Sequence, residues 1–163
     1  MLLILDAYNI VLSGGPFDVA RSLQTKRQKL LDLACVYAAT KKGIREIIAV
    51  FDGRDDVYPV PHKVASLRVK VMFSHGSSDA DQTILRLLDR LESPKGCFLV
   101  TNDVQLRNEA RALGAHVLPV DELLKRFKTQ TAKKSPVPRE SKNLDPLSAS
   151  AINEELSKKW GDD

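Results

Sequence analysis

The feature that most constrains the fold is a regular alternation of short apolar runs with longer segments of helical periodicity. Each apolar run is too short for a buried helix and is soon followed by turn-forming residues, which predicts β-strands. The runs lie at residues 2–5, 47–51, 67–73, 98–100 and 115–118. Helices are predicted at residues 25–42, 77–91, 104–113 and 121–127. Strands that alternate with helices indicate an α/β fold, a three-layer α/β/α sandwich with a mainly parallel central sheet.

The third apolar run differs from the others because its apolar residues alternate with Arg68, Lys70 and Met72. A strand buried on both faces has a continuous apolar run, whereas alternation is typical of a strand with one less protected face. The third strand is therefore predicted to lie at an edge of the sheet.

The composition favours one folded domain followed by a tail. The chain has 163 residues, of which 43% are hydrophobic, and this is enough to bury one core. We assign residues 1–127 to the domain and residues 128–163 to the tail. The tail begins with a stretch of five basic residues, one acid and two prolines, which is typical of a linker. Ile152, Leu156 and Trp160 then recur every four residues and predict a short amphipathic helix.

The sequence also limits the cellular compartments in which the protein is expected. No apolar run approaches the roughly 18 residues that a transmembrane helix needs, and the first residues lack the basic region and cleavage site of a secretion signal. Cys35 and Cys97 lie in a helix pattern and a strand pattern and are predicted to be reduced core residues. We therefore expect a cytoplasmic protein with no membrane partner. The net charge of +4 suits a polyanionic partner, although many small proteins reach such a charge.

Aspartates follow three of the predicted strands. Asp6 comes after the first strand, Asp52 after the second and Asp103 after the fourth. Asp79 and Asp81 lie in the first turn of the helix that follows the third strand. The carboxyl ends of parallel strands share one edge of the sheet, and ligands bind in the crevice outside that edge where the strand order reverses. We therefore expect these carboxylates to converge.

Carboxylates that crowd a partly dry crevice repel one another unless a cation neutralises them. Oxygen-only ligands point to Mg²⁺ or Mn²⁺, because no cysteine or histidine stands at metal-ligand spacing near these acids. Two such ions about 3.5 to 4 Å apart can activate water and stabilise the leaving oxygen in phosphodiester cleavage. The sequence therefore predicts a site for metal-dependent hydrolysis with Asp6, Asp52, Asp79, Asp81 and Asp103 as candidate ligands.

Each aspartate also has a structural interpretation when it is taken alone. Ser78 and Asp81 have the spacing of a capping box, and acids near a helix N-terminus are favoured by the helix dipole. Asp52 belongs to an ordinary Asp-Gly turn pair, and Asp103 is well placed to cap the next helix. Asp6 is hardest to explain in this way, because it ends a strand without beginning a predicted helix. The joint position at one edge favours a metal site.

Polar and basic residues near the acids are candidates for binding the substrate. They are Asn9, Arg54, Lys63, Arg68, Lys70, Thr101 and Asn102. The four basic residues lie on or near the loop after the second strand and can neutralise phosphates, although a solvated charged face is equally consistent with them. Asn9 can bond a phosphate or a metal-bound water, or it can form a turn. The three histidines are isolated, and none is expected to be catalytic.

Four short motifs follow one another along residues 1–127. They are Asp6-Ala-Tyr-Asn9, Val50-Phe51-Asp52-Gly53, Asp79-Ala-Asp81 with the helix that it starts, and Thr101-Asn102-Asp103. In kind and order they resemble the motifs of the YacP-like NYN domains, a family within the wider group of PIN-like nucleases. Each motif is loose alone, but the four together are specific.

The resemblance implies a PIN-like fold and an endoribonuclease with Asp6, Asp52, Asp81 and Asp103 around Mg²⁺. For bacterial members it also implies a role in RNA turnover, with single-stranded RNA or mRNA as substrate and the ribosome as a partner. The tail matches no motif of the family.

Other function classes find less support in the sequence. A catalytically inactive RNA-binding module of the same fold would not need the full acidic set that the chain retains. A phosphatase of the haloacid dehalogenase type needs a second acid where Tyr8 stands, and the acid pair of a response-regulator receiver is missing. No glycine-rich nucleotide-binding loop of the P-loop or dinucleotide type occurs.

Overall fold

The computed structural model describes residues 1–53, 64–75 and 79–133, and within them five strands form one parallel sheet. The strands are β1 (Leu2–Asp6), β2 (Glu46–Phe51), β3 (Val69–Phe73), β4 (Cys97–Val100) and β5 (His116–Leu118). Their order across the sheet is β3-β2-β1-β4-β5, and every neighbouring pair is parallel. All five predicted strands are present, and β3 lies at an edge, as its alternating pattern predicted.

The strand order reverses at β1. From β1 the chain adds β2 and β3 on one side and then returns to add β4 and β5 on the other. β1 and β4 are therefore direct neighbours, with Leu2 opposite Cys97 and Leu5 opposite Val100. The carboxyl ends of these two strands flank the point where open α/β sheets bind ligands. Asp6, the last residue of β1, lies at that point.

Five α-helices connect the described strands or follow them. They are α1 (Ala7–Val11), α2 (Leu23–Thr40), α3 (Ala80–Asp89), α4 (Val104–Ala112) and α5 (Val120–Lys133). Four of them correspond to predicted helices, with ends that differ by a few residues, and α5 continues past its predicted end at residue 127. A five-residue helix such as α1 is too short to show helical periodicity, so it has no counterpart among the predictions.

Two helix starts correct the predictions. Asp6 caps α1, because its side chain accepts a hydrogen bond from the backbone N–H of Asn9. The expectation that Asp6 ends a strand without beginning a helix is therefore wrong. The N-cap of α3 is Asp79, whose side chain accepts from the backbone N–H of Gln82, one residue later than the predicted capping box. Asn and Asp are favoured at such positions because their side-chain oxygens satisfy N–H groups that lack partners within the helix.

The helices cover both faces of the sheet. Successive residues of a strand point to opposite faces. Leu3 and Leu5 accordingly pack in one core cluster with residues of α2 and α5, whereas Leu2 and Ile4 pack in a second cluster with residues of α3 and α4. Both cysteines are free thiols, one half-buried in α2 and the other buried in β4. The three-layer α/β/α sandwich is confirmed.

Several predicted features lie outside the described residues. They are Arg54, His62 and Lys63, the helix start at residues 77–78, and the tail from residue 134 onward with Ile152, Leu156 and Trp160. The division into a domain at residues 1–127 and a tail at residues 128–163 therefore stays a prediction. No helix in the described part of the chain is long and apolar enough to cross a membrane.

Candidate active site

A cleft of about 600 Å³ opens at the carboxyl edge of the sheet, where the strand order reverses. Polar side chains from four separate segments of the chain line it. The lining residues are Asp6, Tyr8, Asn9, Leu12, Ser13, Asp52, Asp79, Ala80, Asp81, Asn102 and Asp103. All five predicted acids and two of the predicted substrate-binding residues are among them. The structure thus brings together the residues that the strand-end pattern singled out.

A single buried hydroxyl connects the acids that follow β1 and β4. The hydroxyl of Thr101 donates to Oδ2 of Asp6 at 2.8 Å and accepts from the backbone N–H of Asp103 at 3.0 Å. Asp6 is only 5% exposed and Thr101 is 0% exposed. A fully buried side chain cannot contact a substrate, so Thr101 positions Asp6 and Asp103 rather than facing the cleft as predicted.

The side-chain oxygens of two asparagines that line the cleft accept hydrogen bonds from backbone N–H groups. The side-chain oxygen of Asn9 accepts from the backbone N–H of Asn102 at 2.9 Å, and that of Asn102 accepts from the backbone N–H of Val120 at 3.1 Å. An amide NH₂ group is a donor only. Because the oxygens are engaged, Asn9 and Asn102 offer the cleft hydrogen-bond donors, which suit the oxygen atoms of a phosphate.

Ser74 holds the carboxylate of Asp52. Its hydroxyl donates to Oδ1 of Asp52 at 3.0 Å and accepts from the backbone N–H of Gly53 at 3.0 Å. Ser74 is buried and follows β3 directly. Sequence reasoning missed this residue, although a polar residue immediately after a strand is the same signal that identified Asp6 and Asp52.

Asp79 and Asp103, like Asp6, both cap a helix and line the cleft. Asp79 caps α3, and Asp103 caps α4 through the backbone N–H of Leu106, at 2.8 Å from Oδ1. The structural interpretation that each residue had when taken alone is therefore correct for both. It does not compete with a role in the cleft, because each carboxylate has a second oxygen atom.

Burial and mutual repulsion set the electrostatics of the acids. Burial raises the pKa of Asp6, and the hydrogen bond from Thr101 opposes this effect. The pKa of Asp81 is raised to about 6, first by burial and then by the carboxylates of Asp6, Asp103, Asp79 and Glu109. Charged acids at this edge therefore destabilise one another, and a cation among them would relieve the repulsion.

The chemistry of the donors fits Mg²⁺ or Mn²⁺, since every candidate ligand is a carboxylate. Of the cleft acids, Asp6, Asp103 and Asp79 are the ones whose negative charges raise the pKa of Asp81. Among the described residues, however, no three acidic, histidine or cysteine side chains are grouped closely enough to hold a metal ion as they stand. The acids surround the cleft rather than converging on one point.

Two predicted substrate-binding residues lie away from the cleft. The guanidinium of Arg68 donates to the backbone oxygen of Ile44, and Lys70 forms an ion pair with Glu46. Ile44 and Glu46 are at the amino end of β2. β3 is parallel to β2, so the chain must return to the amino edge of the sheet before β3 begins. The prediction that Arg68 and Lys70 lie beside Asp52 is therefore wrong, because it did not take this return of the chain into account.

A buried arginine lies beneath the cleft, and sequence reasoning missed it. Arg27 of α2 is only 3% exposed, and its guanidinium lies over the rings of Tyr8 and Phe51, at 5.0 Å and 5.6 Å from their centroids. Tyr8 lines the cleft, and Phe51 immediately precedes Asp52. The available signal was its position on the buried face of α2, three residues before Leu30.

Gly53→Ala is expected to destabilise the loop that carries Asp52. A Cβ atom at residue 53 would lie 2.3 Å from the backbone oxygen of Ser74, so the two segments must separate. We expect the free energy of unfolding to fall by about 1 to 3 kcal/mol, as for other overpacked sites. Urea denaturation measures the change. Gly96→Ala is the control, because nothing lies within 4 Å of a Cβ there, and equal stability of the two variants would contradict the prediction.

Comparison with known proteins agrees with this architecture. The model of the YacP-like NYN domain family matches residues 3–162 and so extends through the tail, in which no motif of the family was expected. A crystal structure of Rae1 (YacP) from Bacillus subtilis is similar with a TM-score of 0.68 and 24% identity, covering 99% of this chain and 92% of that one. A mutant of the same protein gives 0.67 and 22%, covering 81% and 77%. No curated protein matches the sequence significantly.

Proposed function

Since the chain belongs to the YacP-like NYN domain family and has its PIN-like nuclease fold, we propose that it is a metal-dependent endoribonuclease that hydrolyses phosphodiester bonds of RNA. One observation carries the proposal. Five carboxylates from four segments of the chain line one cleft at the switch point of the sheet. Such a concentration of negative charge is costly for stability and exceeds what the helix caps at Asp6, Asp79 and Asp103 need, so it points to a cation and to a reaction that uses one.

In this proposal the cleft residues bind the metal ion, position its ligands or bind the phosphate. Asp6, Asp52, Asp81 and Asp103 would hold Mg²⁺ or Mn²⁺, with Asp79 as a further candidate ligand. When bound, such an ion lowers the pKa of water and neutralises charge on the phosphate. Thr101 keeps Asp6 and Asp103 in place through its two hydrogen bonds. The NH₂ groups of Asn9 and Asn102 are donors for the oxygens of the scissile phosphate.

We propose single-stranded RNA, including mRNA, as the substrate, in RNA turnover in the cytoplasm. The modest net charge of +4 supports only weak attraction to free RNA, because affinity for a polyanion grows with the number of neutralised phosphates. A partner that presents the RNA would compensate for weak affinity, and the ribosome is the partner that we propose. The basic start of the tail suits the same contact.

Incubation of the protein with labelled single-stranded RNA in Mg²⁺, Mn²⁺ or EDTA tests the proposal. Internal cleavage products should appear with either ion and disappear in EDTA, because the described residues arrange no nucleophile that acts without a metal. Single-stranded DNA of the same sequence is the control for substrate class. Undiminished cleavage in EDTA would overturn the metal dependence. RNA binding without cleavage in either ion would instead favour the inactive RNA-binding module.

A further inference from the structure

A second cleft, of about 280 Å³, lies between the end of β3 and α3. We call it the α3 groove. It is lined by Met72, Phe73, His75, Thr83, Arg86, Leu87 and Arg90. None of these lining residues is acidic, whereas five acids line the cleft at the switch point. The two clefts therefore have opposite electrostatic character.

The basic side chains of the α3 groove are exposed. Arg86, Arg90 and His75 are all solvent-accessible. None of the three forms an ion pair or a side-chain hydrogen bond with a residue that the structure describes, in contrast to Arg126, which pairs with Glu122. Met72 and Leu87 also line the groove, and both are half-buried. We call these two apolar side chains the apolar floor of the groove. A groove with cations at its rim and apolar atoms in its floor combines the two features that bind unpaired nucleotides.

The α3 groove and the acidic cleft share two structural elements, α3 and the end of β3. α3 begins with Asp79 and Asp81 in the acidic cleft and carries Arg86 and Arg90 farther along the same helix. A helix rises about 1.5 Å per residue, so Arg86 and Arg90 lie roughly 7.5 Å and 13.5 Å along the axis from Asp81. At the end of β3, Ser74 bonds Asp52 of the acidic cleft, and the next residue, His75, lines the groove.

We propose that the α3 groove binds the single-stranded RNA on one side of the scissile phosphate. Arg86 and Arg90 contact successive phosphates, and His75 with the apolar floor contacts a base. The proposal rests on the proposed nuclease function, since the acidic cleft defines where the scissile phosphate lies. The two shared elements and the opposite charge of the clefts favour RNA over a protein partner, because a strand whose phosphate lies in the acidic cleft must also pass over surface outside it, and Arg86 and Arg90 lie on the helix that starts there.

The double variant Arg86→Gln with Arg90→Gln, made in the full chain, tests the proposal. The matched control is Arg111→Gln with Lys125→Gln, which removes two exposed positive charges from α4 and α5. Binding of a labelled single-stranded RNA is measured in EDTA by fluorescence anisotropy, so that no cleavage occurs. We expect the Kd of the test variant to rise roughly 3- to 30-fold at low salt. The slope of log Kd against log salt should fall by about 1.4, or about 0.7 per lost phosphate contact. The control variant should change little.

Cleavage in Mg²⁺ separates the groove from the nuclease function. If RNA is cleaved, the test variant should raise KM with kcat nearly unchanged, because the lost contacts hold substrate and transition state alike. Equal behaviour of test and control variants in both assays would overturn the groove while the nuclease function stands. If wild-type protein does not cleave RNA, yet the test variant alone loses RNA binding, the nuclease function fails and the groove is supported as an RNA-binding surface.

Discussion

Asp103→Asn should lower the rate of RNA cleavage by roughly 10²- to 10⁴-fold while leaving the stability of the fold nearly unchanged. Asp103 has two roles in the structure, as a wall of the acidic cleft and as the N-cap of α4. Asparagine caps helices about as well as aspartate. The substitution therefore keeps the cap and removes the negative charge, so that the chemical role is tested without the structural one.

Rates measured at saturating Mg²⁺, together with melting curves, check this prediction. Asp79→Asn is the comparison, because it makes the same change at the N-cap of α3, where Oδ1 of Asp79 accepts from Gln82. Thr101→Ser is a second comparison that keeps the hydroxyl between Asp6 and Asp103, and it should retain most of the activity. A cleavage rate for Asp103→Asn within a few-fold of the wild-type rate would show that Asp103 acts only as the N-cap of α4. A large loss for Asp79→Asn as well would add Asp79 to the ligands.

The architecture was predictable because its signals are local. Each strand is only three to six residues long, is mostly apolar and is followed within a few residues by a break. Parallel pairing then follows from the helices between the strands, and it brings the strand ends to one edge of the sheet. This is why Asp6, Asp52 and Asp103, which are far apart in sequence, could be assigned to one cleft. Local pattern plus one topological rule was sufficient.

The contacts that hold the acids were not predictable in the same way. Thr101 and Asp6 are 95 residues apart, and Ser74 and Asp52 are 22 residues apart. No local pattern pairs a hydroxyl with a carboxylate over such distances, although the position after a strand marks both ends. The contacts of Arg27 could not be predicted from the sequence either. Its apolar neighbours on α2 predicted a buried face, but only the tertiary packing shows the aromatic rings of Tyr8 and Phe51 that accept its guanidinium.

Basic residues were the least predictable part of the site. Arg68 and Lys70 are close in sequence to Asp52 but contact the amino end of β2. Arg86 and Arg90 are farther from Asp52 in sequence, yet they lie on the helix whose first turn lines the acidic cleft. Proximity in sequence misleads here because the chain crosses the full length of the sheet between the end of one parallel strand and the start of the next.

Asp81→Asn should stabilise the protein in EDTA above about pH 6 and reduce its stabilisation by Mg²⁺. The pKa of Asp81 is raised from 3.8 to about 6, chiefly by burial and then by the neighbouring carboxylates. The folded protein therefore favours the neutral acid. The associated stability is fully present below about pH 3.8, the value for the unfolded chain, and is lost as the pH rises through about 6. Asparagine cannot ionise, so the variant avoids that loss.

Melting curves of wild type and variant at pH 4 and pH 8, each in EDTA, measure the effect. At pH 8 the variant should melt roughly 2 to 4 °C higher, a figure discounted for the partial exposure of Asp81. At pH 4 the two proteins should melt together. The helix dipole makes the opposite prediction, since loss of an acid from the first turn of α3 costs about 0.3 to 1 kcal/mol when that acid is charged. The sign of the difference in melting temperature at pH 8 therefore shows whether the cost of ionising Asp81 or its favourable interaction with the helix dipole is larger.

Saturating Mg²⁺ at pH 8 then completes the comparison. At about 100 times the Kd, binding stabilises the folded state by about 2.7 kcal/mol, which should raise the melting temperature of wild type by roughly 5 to 10 °C. Asp81→Asn lacks one carboxylate of the site, so its shift should be clearly smaller. A variant that is destabilised equally in EDTA and in Mg²⁺, with an undiminished Mg²⁺ shift, would assign Asp81 to the helix alone and leave the cation to the other carboxylates.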